Sequence, residues 1–466
     1  MATKTGRLIV VGQGAAGLAA ALSAAEEAKR RGAAIDITIL EKAREEEAGG
    51  NTRFSPSYMR MAAPDRVAPG FEDDMRQASA GQGDTEYFRT LAGCAVSTMG
   101  WLQSHGVEFS IPPYYLSIGP PRIQPIGGGR AIIERLGQAA KQADIAIRFA
   151  SAATRLIVGQ GRIRGIEFLS DSGATIALDA DAVVLATGGF EGDPAMMQAQ
   201  FGPLARTLKP ISPGTRFNTG DGIRMAKEHG ARLSGDWDGM HVEPVDPRST
   251  HPAPVVLVYP YGIVVEQAGR RFFDEGSGLV HETWEGFARD IHFSRPGGIA
   301  YAILDSRLFE IADYQRAIRS DVPPCRSDTI EDLAAQIGIP ANALRQTINT
   351  FNEAANGNAS RFDATRCDGL AAAPGLMPPK SNWARPLNKP PFLAYPLIGA
   401  IAYTFGGLST NTKAEVLSEQ GPIAGLFAAG EITGNFHRTA PNAVSMLRAL
   451  VFGRIAGRRA VELLHA

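Results

Sequence analysis

Three glycines within six residues, Gly12, Gly14 and Gly17, could do chemistry that needs no side chain. They follow the apolar run Arg7–Val11 and open an alanine-rich stretch from Leu18 to about Arg31, so a strand ends and a helix begins at this loop. In that setting the first glycine permits a tight turn, the second lets a diphosphate approach the backbone, and the third lets helix and strand pack closely. Ala15 and Ala16 stand between them, where the helix N-terminus faces the phosphate charge. Glu41 ends the next strand-like run, Ile35–Leu40, and is placed to accept both ribose hydroxyls, with Lys42 beside it. The interval exceeds the usual one of roughly 20 residues, and the long charged helix end Glu26–Ala34 accounts for the excess. The pattern predicts a dinucleotide site. The other glycine clusters, Gly127-Gly128-Gly129 and Gly159–Gly165, lack a strand before and an acid after, and read as a loop and a hairpin turn. A second, nicotinamide site is therefore not expected.

The elements that must position this loop form a βαβ unit over Arg7–Leu40. A further strand-like run, Asp181–Thr187, ends in Gly188-Gly189, and another, Gly425–Gly430, lies near the C-terminus. Between them the pattern changes, with a proline-rich loop (Pro244–Pro260), a helical stretch (Thr329–Asn356) and a Pro/Gly-rich return (Ala371–Pro391). We read residues 1–235 as the first part of a nucleotide-binding domain, 236–380 as an inserted capping domain, and 381–466 as the segment that returns to the first. Lys and Arg number 47 against 48 Asp and Glu, which leaves no basic surplus for nucleic acid or an anionic membrane. Cys94, Cys325 and Cys367 are too few and too scattered for a disulfide framework or a paired metal site. The stretch before Gly12 is too short for a signal-peptide core, and no uninterrupted apolar run reaches about 18 residues, so no membrane span and a cytoplasmic enzyme are expected.

The runs Gly49-Gly50-Asn51-Thr52, Val183–Phe190 and Gly425–His437 stand in an order that resembles the FAD enzymes of the fumarate reductase and succinate dehydrogenase flavoprotein family. The likeness extends through Thr215–Gly222, Gly269–Gly276, Pro296–Asp305 and Val451–Gly457, nearly the whole chain. The blocks Gly269–Gly276, Pro296–Asp305 and Thr404–Gly407 are similar to those of the tricarballylate dehydrogenase group within that family. The resemblance implies an α/β fold, a Rossmann-like FAD-binding domain of the GR2 type with an inserted α+β capping domain. It implies FAD, bound by the glycine loop and Glu41 together with Gly49, Gly50, Asn51, Thr52, Thr187, Gly188, Gly189, Asp221 and Asn442. Glu431 would hold the flavin ribityl chain, and Ser445 and Leu447 would line the isoalloxazine. Covalent attachment in the family uses a histidine shortly after the second strand; here the first histidine is His105, so the flavin is expected to be non-covalent.

The same resemblance implies a catalytic set. Arg438, four residues before Asn442, would grip a carboxylate bidentately, with His437 before it and His241 as a further clamp histidine. Tyr403 stands where fumarate reductases carry a histidine, a departure that argues against fumarate itself. Arg289 would be the lid arginine that moves the proton once the closed lid desolvates it. Arg270 and Arg271 are expected to hold the lid together. Three functions remain open. One is a dehydrogenase of a tricarballylate-like polycarboxylate, reoxidised by an iron–sulfur partner. Another is a fumarate-reductase-like or ketosteroid-dehydrogenase-like enoate enzyme, for which Tyr259, Tyr261 and Tyr403 could supply phenols. The third is a catalytically silent flavin-binding subunit.

Overall fold

The computed structural model describes residues 5–355 and 361–465. Its first sheet has a parallel core in the order Gly421–Ala428, Ala182–Leu185, Gly6–Val11, Ile35–Leu40, Ala146–Arg148. All four residues of Ala182–Leu185 are buried, as expected of a parallel strand covered on both faces. The C-terminal strand thus returns to lie beside a strand of the N-terminal half. The returning helix Ser445–Leu464 packs along the first helix, Ala15–Arg31. A Cβ on Gly453 would lie 2.4 Å from the Ala16 carbonyl oxygen and one on Gly457 2.0 Å from that of Ala20, so only glycine lets these two helices approach. An antiparallel flap, Ala152–Gly159, Arg162–Leu169 and Thr175–Asp179, extends the sheet edge with the expected hairpin turn at Gly161. The Gly127–Gly129 cluster does more than the expected loop: Gly127 is the N-cap of a helix, Gly128–Gln142.

The second sheet is organised on one 13-residue strand, Phe392–Thr404. Its C-terminal half pairs with Met240–Val245, and its N-terminal half with Ile299–Leu304 and Cys325–Ser327. The helix Val280–Ser294 packs on both Met240–Val245 and the long strand. Residues 392–404 therefore belong to the cap sheet, which corrects the expected boundary at 381; a buried apolar run reads the same in either sheet until its partners are known. The helical stretch expected over Thr329–Asn356 is two helices, Ile330–Ile337 and Ala341–Ala354. Gly338 turns left-handed between them at φ 71°, Pro340 cannot continue the first, and Asn356 lies outside the described residues.

Inside the cap, Arg271 pairs with Glu275 at 2.7 Å, and Lys380 lies 3.6 Å from the same carboxylate. Glu275 also accepts from the Val264 N–H at 2.7 Å, and Lys380 donates to the Gly262 carbonyl at 2.8 Å. Arg271 knits the cap as expected, whereas Arg270 pairs with Glu266 at the surface. Among the described residues, no helix is long and apolar enough to cross a membrane.

Candidate active site

A cleft opens above the ends of the first sheet's strands and is closed on its far side by residues of the cap. Gly12 enters it at φ 103°, where a Cβ would lie 2.4 Å from the Ala186 carbonyl oxygen. A Cβ on Gly17 would lie 1.9 Å from the Gly12 carbonyl oxygen, so this glycine serves packing and does not itself line the cleft. Gly14, by contrast, has open space facing the cleft, with Thr52 Oγ1 the nearest neighbour at 3.7 Å. The Thr52 hydroxyl accepts from the Ala15 N–H at 3.2 Å. Glu41 accepts from the N–H groups of Gln13 and Ala43, each at 2.8 Å, which fixes its carboxylate against the glycine loop. Burial raises its pKa, and those backbone donors hold the rise in check. Lys42 reaches across to Asp221 at 2.7 Å. Among the described residues the buried Thr187 Oγ1 and Gln13 Oε1 have no partner, the signature of groups awaiting a polar ligand.

Further in, two glutamates meet around Gly189. A Cβ there would lie 2.3 Å from Glu431 Oε1 and 2.7 Å from Glu191 Oε2. Among the described residues no cation forms an ion pair with either; Asn218 donates to Glu191 Oε1 at 2.6 Å and to Glu431 Oε2 at 3.3 Å, and Asn51 to Glu191 Oε1 at 3.1 Å. Burial and the neighbouring Glu431 charge push the Glu191 carboxyl well above the ordinary range, so the pair shares a proton.

The cap contributes the other wall. His241, in Met240–Val245, is clasped by Glu285 at Nδ1 (2.6 Å) and Glu243 at Nε2 (3.1 Å) and stacks on Tyr403 with ring centroids 4.9 Å apart. Burial pulls the imidazole pKa down, but Tyr403 and the two carboxylates raise it well above its usual value, so the ring is an imidazolium. Burial likewise pushes the Tyr403 phenol up, and the His241 charge draws it partly back. Tyr58, Tyr115, Trp284 and Arg122 complete this end.

The family model described as FAD binding domain matches residues 7–446. A probable fumarate reductase of Shewanella frigidimarina, Ifc3, is 30% identical over 99% of this chain and 75% of its own length. The open conformation of a flavocytochrome c3 fumarate reductase superposes with a TM-score of 0.78 at 28% identity, covering 99% of this chain and 79% of that one. A 4-oxocyclohexanecarboxylate 2-dehydrogenase of Sinomonas cyclohexanicum is 30% identical over 72% of this chain and 61% of its own length. The chain belongs to the fumarate reductase flavoprotein family. It is an FAD-binding oxidoreductase acting on CH–CH groups, and the glycine loop, Glu41, the Thr187 hydroxyl and the Gln13 amide oxygen fit that cofactor.

Of the residues expected to bind the cofactor, the cleft collects Gly12, Gly14, Ala15, Ala16, Glu41, Lys42, Gly50, Asn51, Thr52, Thr187, Gly188, Asp221, Glu431, Asn442 and Ser445. Gly49 and Gly189 support it from behind, and Leu447 is wholly buried in the helix-packed core and is not among the residues lining the cleft. His241 and Tyr403 line the cleft, but His241 has both nitrogens engaged by carboxylates and has no N–H left for a substrate clamp. The structure does not bring Arg289, His437 or Arg438 to the cleft. Arg289 lies on the helix Val280–Ser294 with the Asp238 carbonyl 3.5 Å away. The turn carrying His437 and Arg438 is pinned by Asp236, whose N–H donates to the Phe436 carbonyl at 2.9 Å and whose carboxylate accepts from the Arg438 N–H at 3.0 Å, leaving the Arg438 side chain exposed. Tyr259 and Tyr261 are buried in the cap, bonded to Thr283 and the Ala364 carbonyl. Sequence reasoning missed Glu191, Glu243, Glu285 and Arg122. Only Glu191 carried a signal, an acid two residues after the Thr187-Gly188-Gly189 turn.

Proposed function

We propose that this flavoenzyme transfers a hydride to or from a carbon–carbon bond conjugated to a carbonyl or carboxyl group, with Tyr403 as the group that moves the proton. The observation carrying this reading is the Tyr403–His241–Glu285 stack: a phenol lining the cleft, backed by a buried histidine whose ring nitrogens are held by carboxylates. Bound FAD supplies the hydride chemistry. The protein's part is to fix the substrate plane between the cleft walls, to exclude water with the aromatic side chains of the cap, and to hold the proton at the Tyr403 hydroxyl. The imidazolium favours the phenolate formed when that proton leaves, and Glu285 and Glu243 keep the ring charged and oriented. His241 is thus a positioning residue.

Tricarballylate falls in this substrate class, but its clamp would need several cations. Lys42 is already paired with Asp221, and Arg448 donates to the Thr433 carbonyl at 3.2 Å, which leaves Arg122 and the half-buried Arg319. Few free cations beside many aromatic rings favour a flat enone or enoate over a tricarboxylate. The likeness to a 4-oxocyclohexanecarboxylate dehydrogenase supports the same class. With one dinucleotide fingerprint in the chain, electrons pass to a separate redox protein, of which an iron–sulfur partner is one form. The test is anaerobic mixing of oxidised protein with saturated ketones, cyclohexanecarboxylates and tricarballylate, and of reduced protein with the matching enones and enoates, following flavin absorbance. Bleaching or reoxidation by a member of the class is expected, and its loss in Tyr403→Phe with FAD retained. A flavin indifferent to the whole panel overturns the reading.

A further inference from the structure

We propose that Arg122 is the binding residue for a carboxylate on the substrate, an inference that rests on the substrate class proposed above. Arg122 precedes Ile123, which exchanges two backbone hydrogen bonds of 2.9 Å with Met59 and so fixes this segment beside the cleft wall. The side chain lines the cleft, yet the residue is only 3% exposed. Its guanidinium sits 3.7 Å from the ring centre of Tyr58, 4.0 Å from Tyr114 and 4.5 Å from Tyr115. Among the described residues it has no ion pair and no hydrogen-bond acceptor, and its Nε is buried without a partner.

That solitude is peculiar to it. Of the other buried arginines, Arg60 pairs with Asp74, Arg385 lies near Glu310, Arg448 donates to the Thr433 carbonyl and Arg454 to the Thr98 hydroxyl. A buried guanidinium with no acceptor is costly, because a donor taken out of water without a partner loses its hydrogen bond. Tyrosine rings compensate the charge across the flat faces of the guanidinium but offer nothing to the donors at its edge. A carboxylate satisfies those donors in pairs and neutralises the charge, with a geometry no neutral ligand matches.

The diphosphate of the cofactor is not that acceptor. It would be held at the glycine loop, whereas Arg122 belongs to the cap-facing end: it shares the wall with Tyr115, Glu243 and His281, and with burial its charge helps to hold His281 down at a pKa of about 4. Glu243 is engaged with His241 and does not take the Arg122 charge. The substrate class narrows to molecules in which the reacting carbon–carbon bond and an anionic carboxylate are joined by a flat or aromatic-compatible body.

Equilibrium titration tests this without turnover. Oxidised, FAD-loaded protein is titrated with cyclohexanecarboxylate, benzoate and succinate, and with the neutral amide of each, following the flavin absorbance shift and heat. At least one acid is expected to bind at least about tenfold more tightly than its amide. Arg122→Met should weaken that acid by about ten- to hundredfold, leave the amide unchanged, and retain FAD, while Arg122→Lys recovers part of the loss. Wild-type protein that binds every acid no better than its amide overturns the proposal, and that arm needs no variant to fold. An Arg122→Met protein that holds FAD and binds acid as tightly as wild type overturns it too. These titrations stay readable if no enone or enoate reacts, so this proposal and the reaction proposed above can fail separately.

Discussion

Arg271 and Arg122 are both buried guanidiniums, one inside the cap and one on the wall of the flavin cleft. Arg271 has Glu275 at 2.7 Å and carbonyl oxygens of Pro378 and Pro379 within 3.0 Å, so nearly every donor is used. Arg122 has aromatic faces around it and no acceptor among the described residues. The two acid clusters repeat the contrast: Glu275 is shared by Arg271 and Lys380, whereas Glu191 and Glu431 lean on amides and on each other. A polar group satisfied by its own chain holds the fold together. One left short of partners at a cleft is held ready for something the chain lacks, and the surrounding fold bears the cost.

The contrast breaks if the cap cluster proves dispensable. Glu275→Ala leaves Arg271 and Lys380 buried without their shared counter-charge, so a loss of about 3–5 kcal/mol is expected in denaturant unfolding of the FAD-loaded protein. A loss below about 1 kcal/mol would remove the structural half of the comparison.

The acid pair sharpens it through pH. The Glu191 carboxyl is raised, so the folded chain keeps a proton that the unfolded chain releases above about 4.5, and stability falls as pH climbs from there toward the folded value. Each unit of that rise is worth about 1.4 kcal/mol. Glu191→Gln should flatten the decline of melting temperature between mildly acidic and neutral pH; an unchanged slope would mean that the pair does not hold the proton.

Smaller effects separate the arginines themselves. Arg122→Met should change the stability of the substrate-free protein by no more than about 1 kcal/mol, since only stacking is lost and an unpaired buried charge is relieved. A loss as large as that of Glu275→Ala would make Arg122 a structural residue. Smallest of all, Arg289→Ala should cost less than about 0.5 kcal/mol and leave turnover within about twofold of wild type, because its side chain stands outside the cleft. Abolished turnover there would restore the lid-arginine role expected from family resemblance.

The cofactor and its domain were legible in the amino-acid sequence because their chemistry is borne by the backbone and is local. Gly12, Gly14 and Gly17 act through what a Cβ would collide with, and Glu41 reaches them from the end of the adjacent strand. A pattern of a few tens of residues contains the whole argument. The identity of the substrate-facing charges was decided elsewhere. Arg438, Arg289 and Arg122 are alike as letters; Asp236 pins the first at the surface, helix register carries the second away from the cleft, and the pairing of Ile123 with Met59 brings the third to it. His241 had the residue type of a clamp, but a glutamate 44 positions further on took its Nδ1. The boundary of the cap moved for the same reason, since the strand Phe392–Thr404 finds its partners in Met240–Val245 and Ile299–Leu304, far upstream in the chain. Spacing shows what a loop can bind. Which side chains keep unspent donors depends on contacts between segments far apart in the chain, and those exist only once the two sheets have formed.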